Sequence, residues 1–387
     1  MKDPMSRPPS NQRLQDVVEP QERPEGPERS ERPAYLGPPI SVRRLPVGPR
    51  QELLLHRRAV TVTIILVLAA LAVMVLTVLT GTYNISAADA LGTLLRGTGS
   101  DLDRFIVIDQ RLPRALAAVL VGAMLALSGA IFQSLSRNPL GSPDIVGFTT
   151  GASTGGLLAI LLVSASSTYQ IGAGTIIGGL ATAGIVALVT LRRGVGGDNL
   201  ILAGIALSEM LSAANSYLIS RASLQSAEAA KAWQYGSFNA ISWGQVRPLL
   251  MAAIVLLPQV VWFVRPAAML EMGDDAATSL GMRVGRIRGA MLGYGVVLAA
   301  VCVAVAGPIG FLALAAPQLA RRLSRSVGIT MVASAAMGAL LLGGADFLAQ
   351  RLLSPFQIPV GLISAALGGI YLIWLLMFPT DRAGQAG

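Results

Sequence analysis

The sequence predicts an all-α, polytopic membrane protein with ten transmembrane helices. Three observations carry that expectation. Of 387 residues, 53% are hydrophobic and only 13% are charged, against about 25% charged in ordinary soluble domains. Apolar runs recur along the chain, each long enough to cross about 30 Å of hydrocarbon as a helix. Lipid offers no partner to backbone N–H and C=O groups, so such runs must close their hydrogen bonds internally.

Residues 1–57 differ in kind from the rest. Eleven of the 22 prolines precede residue 50, among mixed charges such as "PQERPEGPERSERP". That composition cannot bury a core and predicts a disordered cytoplasmic tail. It also lacks the short continuous apolar core and cleavage site of a signal peptide.

From residue 58 to 380 a single membrane domain is expected, with spans at 59–80, 113–134, 142–163, 170–191, 200–220, 246–264, 287–306, 308–321, 329–349 and 358–378. The stretch from Gly289 to Ala320 holds no charge. As one helix it would measure about 48 Å, too long for a bilayer. Gly307-Pro308 near its middle breaks it, because proline removes a helix bond and glycine tolerates a sharp turn. A hairpin there puts Arg286 and Arg288 on the same side as Arg321, Arg322 and Arg325. Arg137, Arg192, Arg193, Arg265 and Arg283 fall on that side too. Positive charge concentrates on the cytoplasmic face, so both termini are expected there. The opposite face keeps Arg96, Arg104, Arg111, Arg221, Lys231, Arg247 and Arg351. Within the spans, "GASTG" (151–155), "GTIIG" (174–178) and "GAMLG" (289–293) have the small-residue spacing that lets helices approach closely.

Several functions are excluded. A net charge of +9 does not signal nucleic acid here, because the arginines cluster at span ends, as topology requires. Lys2 and Lys231 are the only lysines, and neither follows a glycine as an ATP-binding phosphate loop demands. The lone cysteine, Cys302, lies in an apolar run, and the lone histidine, His56, sits at the edge of the first span. No metal, cofactor or catalytic role is expected of this polypeptide. An ion-gradient mechanism would need acids inside the spans. Glu209 and Asp346 are the candidates. Asp346 is within reach of Gln350 and Arg351 for a local pairing. Glu209 lies about 15 Å into span five, where a carboxylate faces a cavity or a partner or is protonated. A place on a translocation path and a structural bond to a neighbouring helix both remain open for it.

The segment 110–153, "QRLPRALAAVLVGAMLALSGAIFQSLSRNPLGSPDIVGFTTGAS", resembles the iron–siderophore and vitamin B12 permeases of ABC importers, the FecCD/BtuC-like family. The likeness continues in "LAGIALS" (202–208), "LGMRVGRIR" (280–288), "AVAGPIGFLALAAPQLARRL" (304–323) and "LLSPFQIPVGLISAALGGIYL" (352–372). It implies a type II ABC importer fold, with a second permease subunit of the same or a homologous chain. It also implies two ABC ATPase subunits and a periplasmic or lipoprotein siderophore-binding protein. Ferric siderophore is the expected cargo, with vitamin B12 or haem as alternatives and a gradient-driven secondary transporter further behind. Pro317-Gln318 stands where relatives often carry proline-histidine, and "GGIYL" (368–372) where they often carry "GAPFF".

The resemblance also assigns residues. Arg111, Arg114 and Arg351 match outer-surface arginines that pair with glutamates of the binding protein, so reversing them is expected to weaken docking and leave the fold intact. In "RNPLGSPDIVG", Asn138 and Ser142 are expected to satisfy turn and helix-start amides, with Asp144 near a helix N-terminus. The insert "EMGDDAATSLGMRVGR" (271–286), within a cytoplasmic segment at about 266–286, matches the element that contacts the ATPase. There Asp274 or Asp275 would cap a short helix through Ala276, Ala277 and Leu280. Gly281 would reverse the chain into a second short helix before span seven.

Overall fold

The computed structural model describes residues 42–48, 51–81, 83–162, 167–191, 197–326, 330–354 and 356–377. Residues 1–41 and the charged pair Arg192-Arg193 therefore lie outside the described residues. Where the composition predicts no order, Val42–Gly48 (β1) and Gln51–His56 (β2) pair as an antiparallel hairpin with Leu45 opposite Leu53. The described chain is helical in its elements from residue 57 onward.

Each of the ten expected spans contains a helix. They are α1 (Arg57–Leu79), α4 (Leu112–Ser136), α5 (Phe148–Leu161), α6 (Thr168–Leu191), α7 (Gly197–Arg221), α9 (Trp243–Glu271), α11 (Val284–Ala306), α12 (Leu312–Ser324), α13 (Met331–Ala349) and α14 (Val360–Met377). Four short helices join them: α2 (Ala87–Arg96), α3 (Asp101–Arg104), α8 (Leu224–Gln234) and α10 (Asp274–Ser279). A π-helical stretch, Phe105–Arg111, runs from α3 into α4. Seven helices are long and apolar enough to cross a membrane by length and composition. Of the other three, α5 and α12 are shorter than the spans expected for them, and α14 is described as far as Met377.

The shortening has a physical cause. Span eight was expected to be helical from residue 308, but helix begins only at Leu312. The chain from Gly307 to Phe311 is non-helical and runs back into the bundle. At its start Ala306 O accepts from Ser237 N (2.8 Å), and just past its end Leu314 O accepts from Gln133 Nε2 (3.0 Å). The amide of Gln318 continues the same network by donating to Gln133 Oε1 (2.6 Å), which gives that departure from the family pattern a packing role.

The core centres on α4, whose residues from Ala115 to Ser136 are mostly buried among α9, α11, α12 and α13. Two of the three small-residue repeats pack as expected. A Cβ on Gly155 or Gly178 of the α5–α6 pair would collide with backbone of the facing helix. At Gly289 and Gly293 a Cβ would meet nothing within 4 Å, so the two glycines of "GAMLG" make no close helix contact within this chain. Gly178→Ala should therefore lower the unfolding temperature of the detergent-solubilised permease, at a cost of about 1–3 kcal/mol for overpacking. Gly293→Ala should leave it unchanged or raise it, since alanine favours helix by about 1 kcal/mol. Equal melting temperatures for the two variants would contradict the packing described.

Candidate docking and coupling sites

The two groups of residues expected to meet partners lie at opposite ends of α4. Arg114 stands in its first turn, while Ser134 near its last residue donates to Glu271 at the end of α9 (3.2 Å). Twenty helical residues separate these levels, about 30 Å.

At the first end two of the three arginines are held by partners within the chain. Arg111 is only 7% exposed and donates to Val78 O (3.3 Å) and Tyr83 O (2.7 Å), tying the chain after α1 to α4. Arg114, also 7% exposed, is bidentate to Asp346 on α13, with Nε and Nη2 at 2.9–3.1 Å from the carboxylate oxygens. Its remaining Nη1 donates to Gln357 Oε1 (2.6 Å), and Gln350 Nε2 completes the shell of Asp346 (2.7 Å). Neither guanidinium is a free surface charge. Both lie at the proline-led start of α4, where α1 with the chain after it covers Arg111 and the α13–α14 connection covers Arg114.

Arg351 behaves differently. It is half-buried, with its guanidinium 3.6 Å above the Phe347 ring. Nη1 donates to Phe347 O (3.0 Å) and Nη2 to Thr80 O (3.1 Å) and to the Thr80 hydroxyl. Burial lowers its pKa from the ordinary guanidinium value, and Asp346 opposes that shift. The local pairing expected between Asp346 and Gln350 is present, whereas Arg351 takes its hydrogen bonds elsewhere. Beside these residues a cavity of about 600 Å³ opens between Arg111, Arg114, Asp109, Trp243, Gln350 and Gln357.

At the opposite end, α10 stands between two left-handed glycines, Gly273 (φ 106°) and Gly281 (φ 83°). Gly273 is the N-cap residue, so Asp274 and Asp275 occupy the first turn and do not cap through their side chains. Negative charge there still complements the N-terminal dipole. Gly281 closes the helix: its N–H donates to Thr278 O (2.8 Å) and the Met282 N–H to Ala277 O (3.0 Å), the paired bonds of a Schellman end that needs φ > 0. No second short helix follows, because α11 begins directly at Val284. The five residues expected to meet an ATPase divide into two groups. Asp274 turns inward and takes both terminal nitrogens of the buried Arg288 (2.9 and 3.1 Å), locking α10 to α11. Asp275, Leu280 and Gly281 are exposed, Leu280 by 61%, and Ala276 is half-buried.

Glu209 lies on α7 and is exposed, making no hydrogen bond or ion pair among the described residues. Ser212, Ser216 and Ser220 follow it at helical spacing and are exposed as well. A bond from Glu209 to a neighbouring helix of this chain is therefore not what holds it. The turn residues behave as expected: Asn138 Oδ1 accepts from Leu140 N (2.9 Å) and Ser142 Oγ from Ile145 N (3.2 Å). Sequence reasoning missed the two cross-helix partners, Asp346 for Arg114 and Arg288 for Asp274. A buried acid and a buried arginine are each a signal to seek a partner, but nothing in the linear order says which.

Comparison with known proteins agrees with this architecture. A family model described as the FecCD transport family matches residues 65–378. The ferric enterobactin transport system permease protein FepG of Escherichia coli is 46% identical over 70% of this chain and 82% of its own length. The Fe(3+)-citrate import system permease protein YfmE of Bacillus subtilis is 33% identical over 84% and 98%, and the hemin transport system permease protein HmuU of Yersinia pestis is 34% identical over 81% and 95%. Among solved structures, an inward-facing metal-chelate type ABC transporter superposes with a TM-score of 0.72 at 27% identity, over 82% of this chain and 99% of the other. With spans, family motifs and fold in agreement, this membrane-embedded chain belongs to the FecCD transport family.

Proposed function

We propose that this chain is the permease subunit of an ATP-driven importer that moves a ferric siderophore across the cytoplasmic membrane, both termini lying in the cytoplasm. The observation that carries the reading is the polar stripe on α7. Glu209, Ser212, Ser216 and Ser220 share one exposed face of a span, and such a face must meet a water-filled path or another protein rather than lipid. A second permease subunit, the same chain or a homologue, would close the path against that face, with membrane lipid around the remaining exposed helices.

ATP hydrolysis belongs to two separate ABC ATPase subunits, which would receive the exposed tip of α10, at Asp275, Leu280 and Gly281. A periplasmic or lipoprotein siderophore-binding protein would dock at the far end, where Arg351 is the accessible member of the arginine group. Arg111 and Arg114 would support that surface from beneath. Relatives named for enterobactin, citrate and hydroxamate chelates favour ferric siderophore; the hemin permease keeps haem as the second reading.

Radiolabelled iron uptake in a deletion strain tests the reading. Uptake of at least one ferric siderophore should vanish and return with the intact gene, whereas persistent uptake of every chelate would reject it. An Arg351→Glu permease should still fold, with a modest loss of melting temperature from its lost contacts to Thr80 and Phe347. Its capture of the binding protein should weaken by about tenfold, the loss of roughly one charge-assisted contact. Unchanged capture would remove Arg351 from the docking surface.

A further inference from the structure

Three stretches of broken helix converge inside the bundle. The chain at 142–147 turns before α5, α8 ends at Gln234 before Gly236, and Gly307–Phe311 descends as described above. Gly236 and Gly307 have positive φ, and a Cβ on either would strike backbone of the other stretch. Phe311 adopts φ 65°, a strained setting for a side chain with a Cβ. Non-helical backbone at this depth is tolerated only where protein buries it or where it lines a water-filled cavity, and interrupted helices are where membrane transporters place ligands.

Such a cavity is present. It measures about 400 Å³ and lies between Asp144, Thr149, Asn215, Lys231, Pro308 and Gly310, opening beside Ser212 and Ser216 of the polar α7 stripe. Two acceptors in its wall stand out. Asp144 Oδ1 accepts from Thr149 Oγ1 (2.6 Å) and the Phe311 backbone N–H points at the carboxylate, while Asp144 Oδ2, buried, closes no hydrogen bond of good geometry. Asn215, 5% exposed, likewise has an unpartnered Oδ1. Nearby hydroxyl protons are already committed: Ser153 donates to Thr149 O (2.9 Å) and Ser216 to Ser212 O (3.0 Å). Their oxygens therefore offer lone pairs. Among the described residues Lys231 is the one cation in the lining, and it stands exposed on α8. Buried acceptors left without donors are costly, so the wall is matched to an occupant that brings donors.

We propose that this cavity is a cargo subsite on the translocation path, taking N–H or O–H donors, ammonium groups above all, from the periphery of the chelate. Asp144 and Asn215 receive those donors, and Lys231 at the rim faces the anionic groups around the metal. The proposal rests on the importer reading given above. It makes Asp144 a specificity-determining residue: a chelate with a free ammonium arm gains a charge-assisted hydrogen bond that its acetylated form lacks.

The test uses the complete importer, reconstituted in proteoliposomes with its ATPase and binding protein. The probes are a ferric trihydroxamate bearing a free ammonium arm and the same chelate with that arm acetylated. Wild type should favour the ammonium form in kcat/KM, and Asp144→Asn, which preserves the shape of the site, should shrink that preference by about tenfold. A second arm needs no transport. In a Cys302→Ala background, Asn215→Cys should react faster with a cationic methanethiosulfonate than with an anionic one, and adding Asp144→Asn should erase the difference. Identical responses of both chelates to Asp144→Asn, or a labelling order that is equal or reversed in favour of the anion, would overturn the subsite. Failure of the wild type to move any ferric chelate would reject the importer reading instead, and the labelling order would still decide what the cavity accepts.

Discussion

An Arg114→Glu permease should unfold at a much lower temperature than wild type and accumulate poorly in the membrane. The family resemblance alone leads to the opposite expectation, a folded protein with impaired docking. Burial decides between them. Asp346 is fully buried, and its carboxylate is held by Nε and Nη2 of Arg114 at 2.9–3.1 Å. Glutamate at position 114 would set a second carboxylate beside it and strand Gln357 as well. Breaking a buried pair by removing one partner costs about 3–5 kcal/mol, a large share of the roughly 5–15 kcal/mol that holds an ordinary folded protein together. Removing both charges is milder, because no uncompensated ion remains. Arg114→Gln combined with Asp346→Asn should therefore recover most of the melting temperature lost in Arg114→Glu. Melting curves of the purified, detergent-solubilised variants measure this. A wild-type curve for Arg114→Glu would mean that the pair does not hold α4 to α13.

Gly281→Pro should reduce siderophore uptake at least tenfold while barely changing the melting temperature. The two effects separate because Gly281 is exposed and a Cβ there would meet nothing within 4 Å. Its backbone is what matters. Proline fixes φ near −65° and has no N–H, whereas Gly281 holds φ 83° and donates to Thr278 O. The Schellman end of α10 cannot form, and the exposed tip carrying Asp275 and Leu280 must point elsewhere. Meanwhile Asp274 still anchors the start of α10 to Arg288, so the damage stays local. Gly281→Ala provides a graded comparison: alanine can enter the left-handed region at a cost of about 1–2 kcal/mol, so partial uptake is expected. Near-normal uptake by Gly281→Pro, measured with radiolabelled ferric siderophore in whole cells, would take the insert out of the coupling path. Loss of uptake together with a collapsed melting curve would show a folding defect instead.

Much of the architecture was legible in the sequence because its cause is local. The ten apolar runs, the break at Gly307-Pro308 and the short polar insert each follow from the side chains of a few neighbouring residues and from the need to satisfy backbone groups in lipid. The left-handed glycine at 281 follows in the same way from a helix that must stop. Partnership is another matter. "GASTG", "GTIIG" and "GAMLG" have equivalent spacing, yet only the first two face one another across a helix pair, and spacing within one helix carries no information about its neighbour.

The arginines show the same division. Charge placement put Arg111 and Arg351 at one end of the spans, the family resemblance added Arg114, and the three lie near one another at the start of α4 and the end of α13. Whether each guanidinium meets solvent depends on Tyr83, Asp346, Gln357 and Thr80, all remote from at least one of the arginines in sequence and some of them by more than 200 positions. Likewise, Asp274 reads as a presented charge until Arg288 closes on it. Hydropathy and capping sum over adjacent residues, so the sequence by itself determined that this is a helical membrane protein, where its apolar segments lie, and which family they match. Burial and ion pairing depend on distances between helices, and only the tertiary structure decided which charges are shared within the chain and which are left for partners and cargo.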